Sequence, residues 1–389
     1  MARWVGSSCP RRPLDAIDVI QFGAIGDGTN DDSQAFIKAW KAVCRATKYN
    51  VPTLYIPPGT FLLSPTMFQG PCNSPTVNIQ VVGDIVAPND LSAWSNHDVK
   101  NWLIFSKVNG LKIEGDGVID GRGGIWWSQA HKPGERPTAL AFYNCNELVL
   151  GGLTHVNSPR NHITISGCNG VTISRLQITA PGSSPNTDGI DIGQSRNVQI
   201  HDCSIGTGDD CVAIGGGSSY VNISRLLCGP GHGISIGSLG RGGLTDNVEK
   251  VYVRDSVLRG TTNGLRIKTW QGGSGYARKI SFEGITLDTV AKPIIIDQFY
   301  CDQQPPGQNQ STSAVKVSDV YFSRIHGTTS TDKAVELKCS QIVACTNIVL
   351  TDINIVSASP EGTTTGAYCF NAHGSAGPTV PLVKCLLPN

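Results

Sequence analysis

The sequence predicts an all-β chain wound as a single-domain parallel β-helix. Three observations predict it. An apolar-x-apolar phrase recurs at Leu148-Val-Leu, Val171-Thr-Ile, Val198-Gln-Ile, Val221-Asn-Ile, Val251-Tyr-Val, Ile280-Ser-Phe, Val320-Tyr-Phe and Ile348-Val-Leu, mostly about 23 to 30 residues apart, a solenoid spacing. A second series lies between these phrases, at His162-Ile-Thr-Ile, Gly189-Ile-Asp-Ile, Cys211-Val-Ala-Ile, Gly233-Ile-Ser-Ile, Gly264-Leu-Arg-Ile, Pro293-Ile-Ile-Ile and Ala334-Val-Glu-Leu. The repeats carry no helix, and 45 Gly and 22 Pro supply the turns that short strands need. The Leu-x-x-Leu-x-Leu pattern of leucine-rich repeats is missing, and the period is too short for propeller blades.

Taken in order, residues 15 to 50 read as an N-terminal strand and a capping helix, and residues 51 to 389 as coils with a C-terminal cap. Ile20-Gln-Phe-Gly-Ala reads as the strand and Gly26-Asp-Gly28 as a turn. Thr29 or Asn30 suits a helix N-cap, with Asp31 and Asp32 in the first turn. Ala35, Phe36, Ala39, Trp40 and Val43 form an apolar face at helical spacing. Such a helix would cover the open end of a stack, whose terminal coil exposes apolar surface and unpaired strand edges. Strands follow at Leu54-Tyr-Ile, Val77-Asn-Ile-Gln-Val, Trp102-Leu-Ile-Phe and Leu111-Lys-Ile, and Trp126-Trp127 opens a longer loop. Asp302 to Ser313, rich in Gln and Pro, reads as an insertion between two coils.

Charged residues make up 16% of the chain and the net charge is +1, which argues against a disordered polyampholyte and against nucleic-acid binding by bulk charge. The 13 cysteines show no Cys-x-x-Cys spacing, so a structural zinc site is a weak reading. Cys211 with Cys228, Cys339 with Cys345, and Cys369 with Cys385 are close enough in sequence to suit disulfides in an oxidising compartment, and Cys44 and Cys72 complete the candidates. Cys145, Cys168 and Cys203 fall at similar places in successive repeats and suit buried apolar positions equally well. Asn222 and Asn309 open glycosylation sequons. No apolar signal-peptide core is visible near Met1, so secretion implies a processed form, and no apolar run is long enough to span a membrane.

The residues just before four strands of the second series are Asp188, Asp210, His232 and Asn263. Asp209 adjoins Asp210. Arg266 and Lys268 flank the inward Ile267 and so point outward, and Tyr300 follows the next strand. Alone, each Asp is an ordinary turn residue bonding its own backbone. Stacked in phase, the carboxylates repel, one should keep its proton while the others ionise, and an acid and a base then face one bond.

The set Asn186-Thr-Asp-Gly189, Gly208-Asp-Asp-Cys211, Gly231-His-Gly233-Ile-Ser-Ile-Gly237-Ser-Leu-Gly240 and Arg266-Ile-Lys268 resembles, in order and spacing, the four signature motifs of polygalacturonases, glycoside hydrolase family 28. Phe22-Gly-Ala-Ile-Gly-Asp-Gly, Trp40-Lys-Ala-Val-Cys44 and Gly117-Val-Ile-Asp-Gly121 look like the plant branch. The resemblance implies a right-handed β-helix that hydrolyses α-1,4-galacturonosyl linkages of pectin with inversion, as an endo enzyme that cuts internal bonds. It implies Asp209 as the general acid, Asp188 and Asp210 as activators of water, and His232 as the keeper of the acid's protonation state. Asn186, Arg266, Lys268 and Tyr300 would bind the sugar; the two cations would grip its carboxylates. The implied partner is polygalacturonate, for a secreted cell-wall monomer with no cofactor, no metal, and neither nucleic acid nor membrane as partner. The competing readings are an exo-acting enzyme, a calcium-dependent pectate lyase (whose Arg-x-Pro-x-x-Arg signature is absent) and a non-catalytic carbohydrate-binding β-helix.

Overall fold

A computed structural model describes residues 15–47, 51–95, 100–128, 136–301, 313–359 and 364–388. The strands form a right-handed parallel β-helix, in which one sheet has 22 strands and the other 11. Both series read from the sequence become columns. Leu148, Val171, Val198, Val221, Val251, Ile280, Val320 and Ile348 are successive register partners on the larger sheet. Ile163, Ile190, Val212, Ile234, Leu265, Ile294 and Val335 are partners on the smaller one. All of these side chains are buried, forming a continuous apolar interior. Stacking similar branched side chains at the strand spacing of about 4.8 Å is what makes the repeat self-consistent.

On successive coils the larger sheet bends at a residue in the left-handed conformation, between two strands in the earlier coils and within one long strand in the later ones. This column runs Arg175, Asp202, Arg225, Asp255, Gly284, Arg324 and Asp352, with φ between 50° and 65°. The side chains alternate in charge from Arg175 to Asp255 and again at Arg324 and Asp352, with Gly284 between, and Arg225 grips Asp202 at 2.6 and 2.8 Å. Such exposed pairs add little stability; they make the rungs mutually attractive where the backbone is least favourable.

The helix Ser33–Arg45 closes the N-terminal end, and every apolar residue assigned to its face is buried. Trp40 stands edge-on to Phe68 and Phe105, which continue into a stack with Phe142. The Trp40 indole donates to the Gln69 carbonyl at 3.1 Å. A Cys44–Cys72 disulfide ties the helix end to the first coil, and Cys211–Cys228, Cys339–Cys345 and Cys369–Cys385 form as expected. Cys145, Cys168 and Cys203 are free thiols buried in the interior.

Two local expectations are corrected. Val19–Phe22 is a 3-10 turn rather than part of a strand, because Asp18 and Gln21 form a reciprocal capping box and Gly23 ends the turn at φ 98°. The segment Asp27–Asp31 is a strand paired with Thr60–Leu62, so the helix starts later than Thr29 or Asn30 would place it. Asp31 and Asp32 therefore precede the helix instead of filling its first turn: Asp32 is the N-cap without a side-chain cap bond, and Asp31 accepts from the Ser33 amide at 2.9 Å. Trp126-Trp127 belongs to a single helical turn, Gly124–Trp127. The expected insertion at 302 to 312 and the Asn309 sequon lie outside the described residues, whereas Asn222 lies on the strand Ser219–Ser224.

Candidate active site

The site is built on the outward face of the smaller sheet, where its central strands begin. The Gly189 amide donates to the Asp210 carbonyl, and the His162 amide to the Asp188 carbonyl. With Ile190 opposite Val212 and Val212 opposite Ile234, Asp188, Asp210 and His232 occupy equivalent positions on three adjacent coils. Alternation along the strands then decides the outward residues. Asp191, Ala213, Ser235 and Arg266 are successive register partners.

Asp210 is 1% exposed and held from three sides. Ser235 Oγ and Arg266 Nη2 each lie 2.8 Å from its Oδ1, and Lys268 Nζ lies 2.9 Å from Oδ2. Arg266 also donates to Ser235 Oγ at 2.9 Å. The cations read from the sequence as grips for substrate are thus first of all partners of Asp210. Two cations on one carboxylate leave a net positive charge at this end of the site, with unused donors on both side chains.

Asp209 forms a second unit. His232 Nδ1 lies 2.8 Å from its Oδ1, and Asn186 Nδ2 donates to its Oδ2 at 3.3 Å. Burial by itself would raise the Asp209 pKa; the hydrogen bond and charge of His232, aided by Lys268, hold it below the usual carboxylate range. Asp188 goes the other way. Desolvation, then repulsion from Asp191, Asp209 and Asp210, pushes it well above that range. Asp188 therefore holds a proton more tightly than Asp209 does.

Tyr300 is also brought to the site: Lys268 Nζ lies 5.3 Å over its ring, and Trp270 packs edge-on against it. All eight residues singled out in the sequence thus lie in one connected network. Three residues that carry or position charge there were not singled out. Asp191 is partly buried, and desolvation followed by repulsion from Asp210 pushes its pKa to about 7. Asn161 donates to its Oδ2. Its signal was present, since it sits between two inward isoleucines and must face outward. Arg136, 2% exposed, holds the Asn186 loop by donating to Asn186 Oδ1 at 2.7 Å and to the Pro159 carbonyl at 3.2 Å. Arg160 lies within electrostatic reach of Asp191. Neither arginine belongs to the repeat, so nothing in the periodicity marks them.

Asp209, Asp210 and His232 offer metal-ligand atoms within 4.8 Å of one another. The Asp210 oxygens already face Arg266 and Lys268, whose charges oppose a second cation, so the donor set fits an acid–base site better than a metal centre.

A family model described as Glycosyl hydrolases family 28 matches residues 44–377. The chain belongs to that family. It is 53% identical over 375 residues to a probable polygalacturonase of Arabidopsis thaliana, covering 96% of this chain and 81% of the relative. It is 43% identical to a polygalacturonase of Malus domestica, covering 92% and 78%. Among solved structures, an endo-xylogalacturonan hydrolase from Aspergillus tubingensis superposes with a TM-score of 0.78 at 26% identity, covering 92% of this chain and 98% of that one.

Proposed function

We propose that the chain is a polygalacturonase that hydrolyses internal α-1,4 linkages of homogalacturonan with inversion of configuration. The observation that carries this reading is the pairing of Asp209 with His232 beside an Asp210 held between Arg266 and Lys268, on three adjacent coils. Asp209 protonates the leaving glycosidic oxygen, and a water attacks the anomeric carbon from the opposite face, losing its proton to Asp188 or Asp210. With Asp188 the stronger holder of a proton, the cluster is one exchange away from the productive charge state. Moving that proton to Asp209 creates the acid and frees Asp188 as a base in a single redistribution, which closely coupled carboxyls permit. A polyanionic substrate favours the exchange by disfavouring the charged form of Asp209. Arg266, Lys268, Asn186 and Tyr300 contact the sugars around the cleavage point.

The same reading makes residues 1–389 one catalytic domain of a secreted, monomeric pectin-remodelling enzyme of the cell wall, glycosylated at Asn222 and Asn309. A product profile on polygalacturonate tests the mode of action. Mixed oligomers at early times are expected; galacturonate monomer alone would replace the endo assignment by exo action. An unsaturated, ultraviolet-absorbing product would replace hydrolysis by elimination.

A further inference from the structure

The two oxygens of Asp209 are not equivalent. The Asp210 amide and His232 Nδ1 each lie 2.8 Å from Oδ1, and with both donating its two lone pairs are taken. Among the described residues, Oδ2 accepts only from Asn186 Nδ2, at 3.3 Å, and keeps a lone pair. A proton carried by Asp209 for a leaving group therefore belongs on Oδ2. An amide presents two ends of nearly the same shape, one that donates and one that accepts. If Asn186 turned its oxygen towards Oδ2, it would accept the Asp209 proton and hold it away from the substrate.

Arg136 bears on this choice. Its Nη2 donates to Asn186 Oδ1 at 2.7 Å. A guanidinium has no acceptor, so it can face only the oxygen end of the amide, and the nitrogen end is left for Asp209. Neither partner is free to follow a flip. Arg136 is 2% exposed, and its Nη1 donates to the Pro159 and Pro185 carbonyls. Trp127 Nε1 donates to the same Pro159 carbonyl at 3.3 Å. Asn186 stands in the left-handed conformation at φ 55°, and the Ser184 and Thr187 hydroxyls meet across its loop at 2.6 Å. Holding the loop needs only the two carbonyl bonds; the third bond goes to the side-chain amide.

We propose that Arg136 is a positioning residue that keeps the Asn186 amide with its nitrogen towards Asp209, so that the acid's proton stays free for the glycosidic oxygen. This rests on the polygalacturonase reading above. The charged groups around Asp209 are His232, Lys268, Asp188, Asp191 and the adjacent Asp210. None of them is bonded to Arg136 among the described residues, so Arg136 reaches Asp209 through Asn186 or through its own charge.

The test is the pH dependence of kcat and kcat/KM on polygalacturonate for the full chain. In Arg136→Gln the Asn186 amide can turn either way. The neutral acid then gains an acceptor, while the ionised form keeps its donor. Plateau kcat should fall about tenfold. The limb that reports loss of the Asp209 proton should move up by about half a pH unit. Arg136→Lys, cationic and donor-only, should restore most of both. Losing a charge also moves this limb up, so Arg136→Gln is repeated in an Asn186→Ala chain, where it should leave the limb unmoved. An equal movement in both backgrounds would mean a charge effect and overturn the proposal. A fall in kcat with the limb unmoved in either would mean loop-holding and overturn it too. Neutron diffraction from the unsubstituted chain reads the amide directly, whether or not the variants fold: Nδ2 facing Asp209 is expected, and Nδ2 facing Arg136 would overturn the proposal. An unsubstituted chain that does not hydrolyse polygalacturonate would instead overturn the polygalacturonase reading, and this role with it.

Discussion

Lys268 Nζ lies 2.9 Å from Asp210 Oδ2, with the two side chains only 10% and 1% exposed. Arg266 reaches the other oxygen of the same carboxylate. One carboxylate serves two cations, so Asp210→Asn would leave both without a counter-ion, and breaking a buried pair in this way typically costs about 3–5 kcal/mol. Lys268→Met should lower the melting temperature and abolish most hydrolysis. Combining it with Asp210→Asn should lower the melting temperature further, since Arg266 then lacks its carboxylate, and should restore none of the activity. Thermal denaturation and initial rates on polygalacturonate measure both; restored activity in the double variant would remove Asp210 from the chemistry.

Asp209→Asn keeps the shape and the contact with His232 but cannot give up a proton. Hydrolysis should fall by several orders of magnitude while the folded circular-dichroism spectrum and melting temperature stay close to wild type. A fall of less than about tenfold would remove Asp209 as the acid, since general acid catalysis supplies about 10²–10⁴-fold.

Asp191 makes stability depend on pH in a definite direction. Its pKa is about 7 in the folded chain against an ordinary value of 3.8, so the folded state binds more protons in that window. Stability contributed by the protonated group is full below about pH 4 and is lost as pH rises towards 7. Asp188, also raised, acts with the same sign. Asp191→Asn should therefore flatten the decline in melting temperature between pH 4 and 7, an effect of a few kcal/mol. A variant whose pH profile parallels the wild type would contradict this account.

The configuration of the product is a separate measurement. Proton NMR of fresh digests should show the inverted anomer first. Retained product would demand a covalent intermediate, and with it a different division of labour among Asp188, Asp209 and Asp210.

The N-terminal lid gives a stability prediction free of catalysis. Trp40 packs on Phe68 and Phe105 at the open end of the aromatic stack. Trp40→Ala should cost about 3–5 kcal/mol, read from denaturant midpoints. If activity on polygalacturonate also fell in fully folded protein, the lid would be doing more than closing the stack.

The coils were legible in the sequence because their core is periodic. Leu148 through Ile348 repeat one inward position, and a buried column tolerates no slip without turning every side chain to the other face. The same periodicity placed Asp188, Asp210 and His232 on adjacent coils, and Arg266 and Lys268 on the outward face. The motif resemblance added Asp209, which is out of phase with that column. The 3-10 turn at Val19–Phe22 was not legible, because its capping box overrides a local pattern that reads as strand.

What the sequence alone determined is therefore which residues share a coil position, since that follows from strand period and repeat length. What only the tertiary structure decided is which of them partner one another. Proton affinity depends on burial and on neighbours distant in the chain, as for Asp188, crowded by Asp191, Asp209 and Asp210. Likewise Arg266 and Lys268 proved to hold Asp210 before any substrate arrives, because coil stacking brings charges more than fifty residues apart to hydrogen-bonding distance.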